Sequence, residues 1–143
     1  MSADPLPSAA PRPVAGLLES SALRVVARML LTVPFWTSGL AKLADFGGTT
    51  AEMAHFGLNP PAVFAIATIL VQLGGSALVI QGRHAWLGAG ALGLFTALTI
   101  PLVHNFWAQE GERGMLAMFF ALEHIGMIGG LMLAAILCHR RAS

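Results

Sequence analysis

The chain has 143 residues, of which 56 % are hydrophobic and 10 % charged, with a formal net charge of +1. Soluble domains carry roughly 25 % charged residues, and the helices of a soluble bundle each keep a polar face. Those features are missing here, so most soluble-enzyme readings fall away, and no basic surface offers itself to nucleic acid.

Residues 1–20 hold Pro5, Pro7, Pro11 and Pro13 among small residues and read as a disordered, Pro-rich cytoplasmic tail. They show no basic stretch followed by an apolar core, as a cleaved signal peptide would. Four long apolar stretches follow, at roughly 23–43, 61–81, 85–106 and 115–137. Each approximates the ~20 residues that a helix rising ~1.5 Å per residue needs to cross a hydrocarbon layer of about 30 Å. The expected fold is all-α: an antiparallel four-transmembrane-helix bundle over residues 21–138, then a short basic tail, 139–143. The first stretch, which contains Pro34 and is expected to kink there, serves as its own insertion signal.

Between the first two stretches, Thr49-Thr50-Ala51-Glu52 fits a capping box, with Thr49 as the cap and Glu52 bonding back to it. Gly57 can close that turn, and Asn59-Pro60-Pro61 resets the chain, so a short interfacial helix is expected here. Gln81-Gly82-Arg83-His84 is a tight turn that makes its flanking helices antiparallel neighbours. Trp86 and the pair Phe106-Trp107 fall where aromatic belts form. Gly126 and Gly130 form a GxxxG pair, read mainly as packing within the chain, with a homodimer seam as the alternative.

The charges are sorted by side. Arg12, Arg24, Arg28, Arg83, Arg140 and Arg141 flank one set of connections, while Lys42 and Arg113 share the other with Asp45, Glu52, Glu110 and Glu112. Excess Lys and Arg marks the cytoplasmic side, which predicts that both termini are cytoplasmic. Cys138 is the sole cysteine, so an intrachain disulfide, a CxxC pair and a thiolate metal cage are ruled out. No HxxxH pair, zinc ligand set or phosphate-cradling glycine loop is present, and no metal site is expected.

Polar groups at membrane depth carry the functional signal, since a mid-bilayer charge costs about 2.5–3.5 kcal/mol on insertion scales. Arg24, Arg28, Ser38 and Lys42 fall within about 80° of one another on a helix, forming one polar stripe. They either face inward or snorkel to the interfaces. Glu123 lies near mid-depth in the fourth stretch and shares a face with Gly126 and Gly130, which aims it into the bundle. Gln72 falls at the same depth, so a Glu123–Gln72 hydrogen bond is expected. Helical counting puts His104 and His124 roughly 9 Å apart along the membrane normal, which sets a bis-histidine haem aside. Lys42, Gln72, His104, Glu123 and His124 are expected to line one outward-opening polar pocket. The competing view is a structural network that fixes helix order.

The run from Ser38 to Phe46 (Ser-Gly-Leu-Ala-Lys-Leu-Ala-Asp-Phe), then Gly48-Thr49, Met53 and Gly57-Leu58, resembles the first half of DoxX-family membrane proteins. Leu73-Gly74-Gly75, Gly82-Arg83, His104-Asn105-Phe106-Trp107 and Gly129-Gly130 extend the resemblance over about residues 24–137. It implies a bacterial inner-membrane protein, similar to the DoxD-type membrane subunit of thiosulfate:quinone oxidoreductase. The family's recurrent polar positions correspond to Arg28, Lys42 and His104. The chain departs from the pattern at Gln72, where Glu is usual, and at Glu123-His124, where Lys-Asn is usual.

The function this implies is a component of a quinone-linked redox system, acting in thiol, sulfur or oxidative-stress chemistry. Glu123, His104 and Lys42 would carry the chemistry, and Arg28, Gln72, His124 and Trp107 would bind. Quinone would be the cofactor, nothing would be covalently attached, and a partner subunit would bring electrons. Two rivals from other classes stand beside it. One is a small proton-coupled transporter working as a homodimer. The other is a membrane scaffold recruiting soluble partners through the Pro-rich tail and Arg140-Arg141.

Overall fold

Glycine and proline at the ends of the apolar runs set the helix boundaries. The structure, a computed structural model, describes residues 10–139. The outer parts of the two expected tails, including Arg140 and Arg141, lie outside the described residues.

Six α-helices account for most of the described residues: α1 Arg12–Glu19, α2 Ser21–Ala44, α3 Phe46–His55, α4 Pro61–Gln81, α5 Ala85–Val103 and α6 Gly111–His139. A 3-10 turn, Phe106–Ala108, links α5 to α6. Helix α1 corrects the expectation of a disordered segment up to residue 20. Pro11 and Pro13 sit at its very start, where a missing N–H costs no bond and the ring pre-sets φ. Ser20 then separates α1 from α2 and caps α2, its hydroxyl accepting from the backbone N–H of Leu23.

A second correction concerns the connection after α2. Helix α3 exists, but it begins after Asp45, not Thr49. The Asp45 carboxylate accepts from the Gly48 N–H at 2.9 Å, a stronger cap than a hydroxyl would provide. Thr49 lies inside the helix, its hydroxyl donating to the carbonyls of Lys42 and Asp45. Glu52 turns instead to Lys42, with which it forms an ion pair. Gly57 ends the segment at φ +74°, and Gly82 ends α4 at φ +81°, both in the left-handed region that favours glycine.

Among the described residues three helices are long and apolar enough to cross a membrane: Pro61–Gln81, Ala85–Ala108 (α5 with its turn) and Gly111–His139. Helix α2 has the length, at 24 residues, but its polar stripe keeps it out of that set. It packs on α4, α4 on α5, and α5 on α6, so the four long helices form a curved row. Their shared core is Phe35 of α2, Val79 of α4, Ala89 and Leu92 of α5 and Leu131 of α6. Where α4 meets α5, glycine faces glycine, for a Cβ on Gly88 would lie 2.5 Å from the Gly75 carbonyl oxygen. The row barely closes on itself. Helices α2 and α6 make few contacts, among them Leu31 against Gly130, and a groove is left between them.

Candidate functional site

The polar stripe of α2 faces inward, and its members meet different partners along the helix. At one end Arg28 donates to the Ile80 carbonyl at the end of α4, at 3.4 Å. In the middle Ser38 Oγ accepts from Gln72 Nε2 at 3.2 Å, and Gln72 is buried with its Oε1 unpartnered. At the other end Lys42 pairs with Glu52, its side chain 17 % exposed. Arg28 and Lys42 are thus about 21 Å apart along α2 at ~1.5 Å per residue and serve different ends of the molecule.

Beside the Lys42–Glu52 pair is a cavity of about 190 Å³ between α3, α4 and α5. Phe56, Phe64 and Phe95 line it with Leu98, Leu102 and other apolar groups, and Thr68 and Thr99 supply hydroxyls. Its physical character is an apolar slot with one ion pair at its rim. The Lys42 ammonium has further donors beyond the one given to Glu52. A ligand with a flat, apolar body and an accepting oxygen matches that distribution. Glu52, Thr68 and Thr99 were missed as lining groups by the sequence reading. Only the fold-back of α3 over α4, set by the Asp45 cap, brings Glu52 to Lys42.

The histidines form a separate site. His104 follows Val103, a residue that lines the cavity, and its ring stacks on Phe120 at 5.3 Å and meets the His124 ring edge-on at 4.6 Å. The expected 9 Å offset between them is therefore corrected. The ring contact brings His124 beside His104 despite that count. Ring contact this close leaves no gap for an iron between the imidazoles. The His124 Nδ1 is buried and has no hydrogen-bond partner.

Glu123 requires the largest revision. It is exposed, not turned into the bundle, and Gln72 bonds Ser38 in its place. The same register that sets His124 against His104 puts Glu123 level with the end of α5. Gly126 and Gly129, near it on α6, have open space around them, while Gly130 meets Leu31. Trp107 is also exposed, with its ring against Phe106. The single pocket expected from the sequence is thus three places: Lys42 with its cavity, Gln72 with Ser38, and His104 with His124. Among the described residues no group of three or more His, Cys, Asp and Glu is arranged to hold a metal ion.

A sequence model described as DoxX matches residues 23–105, more than half of the chain. The chain belongs to the DoxX family. Among its DoxX relatives, the inner membrane protein YqjF of Escherichia coli K12 is 30 % identical over 112 residues, 78 % of this chain and 81 % of that protein. The inner membrane protein YphA of the same organism is 25 % identical over 114 residues, 80 % of this chain and 81 % of that protein. No solved structure matches the chain. The DoxX match contains Arg28, Lys42, Gln72 and His104 but ends before Trp107, Glu123 and His124.

Proposed function

We propose that this DoxX protein is an inner-membrane component of a quinone-linked redox system, with the quinone headgroup seated in the cavity beside Lys42. The observation that carries this reading is the pairing of an apolar, phenylalanine-lined slot with one half-buried ammonium at its rim. Lys42 would donate to a headgroup oxygen and stabilise negative charge as it develops there, with Glu52 holding the ammonium in place. A slot of about 190 Å³ suits a ring, and the isoprenoid tail would run out between helices into lipid. The His104–His124 pair, next along the chain from the cavity wall, is the nearest candidate for proton handling. Electrons would come from a partner protein.

The topology that goes with this reading has four spans, α2 included, with α3 at the outer interface and both termini in the cytoplasm. Its support is that Arg24, Arg28 and Arg83 line one cleft, whereas Lys42 and Glu52 lie at the opposite end of α2.

The exposure of Glu123 favours an addition to this reading. A carboxylate on an apolar, uncovered helix face is costly in lipid, so a partner covering α6, either a redox subunit or a second copy, would relieve that cost. A second copy is also what the proton-coupled transporter requires.

Native mass spectrometry of protein extracted with its own lipids tests the choice, comparing the parent with Lys42→Met and Glu123→Gln. Quinone retained by the parent and by Glu123→Gln but lost from Lys42→Met is the expected result. Quinone kept by Lys42→Met would overturn the assignment. A dimer that holds no quinone in any variant would move the reading to the transporter.

A further inference from the structure

The end of the molecule opposite Lys42 holds two joined clefts that the redox reading does not use. One, of about 350 Å³, is lined by Arg24, Arg28, Gln81, Gly82 and Arg83. The other, also about 350 Å³, is the groove between α2 and α6, walled by Leu31, Gly130, Leu133 and Leu137. Arg24, Arg28 and Cys138 line both, so the basic cleft opens directly into the apolar groove.

Among the described residues the arginines have no carboxylate partner. Arg24 donates to the Glu19 backbone carbonyl and Arg28 to that of Ile80, and none of the three forms an ion pair among the described residues. Glu19, on α1, leaves its own carboxylate out of any such pair. Each guanidinium carries five N–H donors, so most of the donor capacity in the cleft is unspent. Arg28 is also fixed in place. Its guanidinium lies against the Cα of Gly82, where any Cβ would collide with it. The negative end of the α4 dipole holds it there.

We infer that this paired cleft is a binding site for one anionic phospholipid, with the headgroup phosphate on Arg24, Arg28 and Arg83 and an acyl chain along the α2–α6 groove. Charge complementarity decides the class. Three unpaired cations beside an apolar channel fit a ligand that is an anion at one end and a hydrocarbon chain at the other. Basic pockets between helices on the cytoplasmic side recognise such headgroups, and guanidinium planes bind phosphate bidentately. The groove would then be filled by lipid, which explains why α2 and α6 scarcely touch. Trp86, largely exposed one turn beyond Arg83, has the amphipathic ring expected at headgroup level. This inference does not depend on the quinone reading, since the two sites lie at opposite ends of α2.

Cys138 provides the probe, being the sole cysteine of the chain and lining both clefts. The parent and the double variant Arg24→Gln/Arg83→Gln are placed in nanodiscs of phosphatidylcholine with or without phosphatidylglycerol. Alkylation of Cys138 by a small maleimide is timed, and retained lipid is counted by native mass spectrometry. Arg28 is left unchanged because it also ties α2 to α4.

Phosphatidylglycerol should slow alkylation and co-purify with the parent, and the double variant should bind it about 30-fold more weakly. Equal retention of phosphatidylglycerol by parent and double variant would overturn the proposal. So would protection of Cys138 by inorganic phosphate as effective as that by the lipid, which would mark a site for a small soluble anion.

Discussion

The imidazoles of His104 and His124 meet edge to face, with ring centroids 4.6 Å apart, and this contact fixes the register of α6 against α5. With those two rings level, Leu131 comes to the shared core and Glu123 comes to the uncovered side. Glu123→Cys paired with Gln72→Cys should therefore resist a short bifunctional thiol reagent, while His104→Cys with His124→Cys links readily. Both pairs are made in a Cys138→Ser background and read as a gel shift after proteolysis between the helices. Linking of the 72–123 pair alone would restore the single-pocket arrangement and contradict this register.

Glycines of the same helix should respond oppositely to one methyl group. A Cβ at Gly88 meets the Gly75 carbonyl oxygen and the Leu78 side chain, whereas a Cβ at Gly90 meets nothing within 4 Å. Gly88→Ala must push α4 and α5 apart, a cost of about 1–3 kcal/mol. Gly90→Ala should be neutral or stabilising by up to about 1 kcal/mol, because alanine is the better helix former. Unfolding by sodium dodecyl sulfate in mixed micelles measures both. Equal effects would show that the glycine-on-glycine approach is not a tight one.

Whether α2 crosses the bilayer can be read at its two ends. Ser21 and His55 are both exposed, one at the start of α2 and the other at the end of α3. In a Cys138→Ser background, His55→Cys should react with a membrane-impermeant maleimide in intact spheroplasts. Ser21→Cys should react only after the membrane is opened. Reaction of both from outside would leave α2 on the outer surface and reduce the spans to three.

The helices were legible in the sequence because long apolar runs, glycine stops and proline starts are local signals. The 61–81 stretch was read as α4 to the residue, and Gly82 closed it as the turn chemistry required. The polar stripe of α2 was also legible, since helical spacing alone puts Arg28, Ser38 and Lys42 on one face. What the sequence did not disclose was which partner each would find. Glu52 looked like a local capping residue, yet Asp45, three residues before Gly48, took the cap and freed Glu52 for Lys42. The expected partner of Glu123 failed for a related reason. Counting from the start of an apolar run fixes no register between helices, and the contact of His104 with His124 sets that of α6. Its 29 residues, about 43 Å, exceed what a bilayer needs.

Three members of the α2 stripe share one property: Lys42, Ser38 and Arg28 find their partners, Glu52, Gln72 and the Ile80 carbonyl, later in the chain. When α2 leaves the ribosome, none of the three partners has yet been made, and Arg28, Ser38 and Lys42 meet only lipid, water or translocon. A nascent chain ending at residue 58 should therefore be extracted from membranes by alkaline carbonate, whereas one continued through α4 should resist. On this view α2 is not an independent start signal. It enters the bilayer as the first arm of a hairpin whose second arm completes it, and the order of synthesis becomes part of how the protein is built.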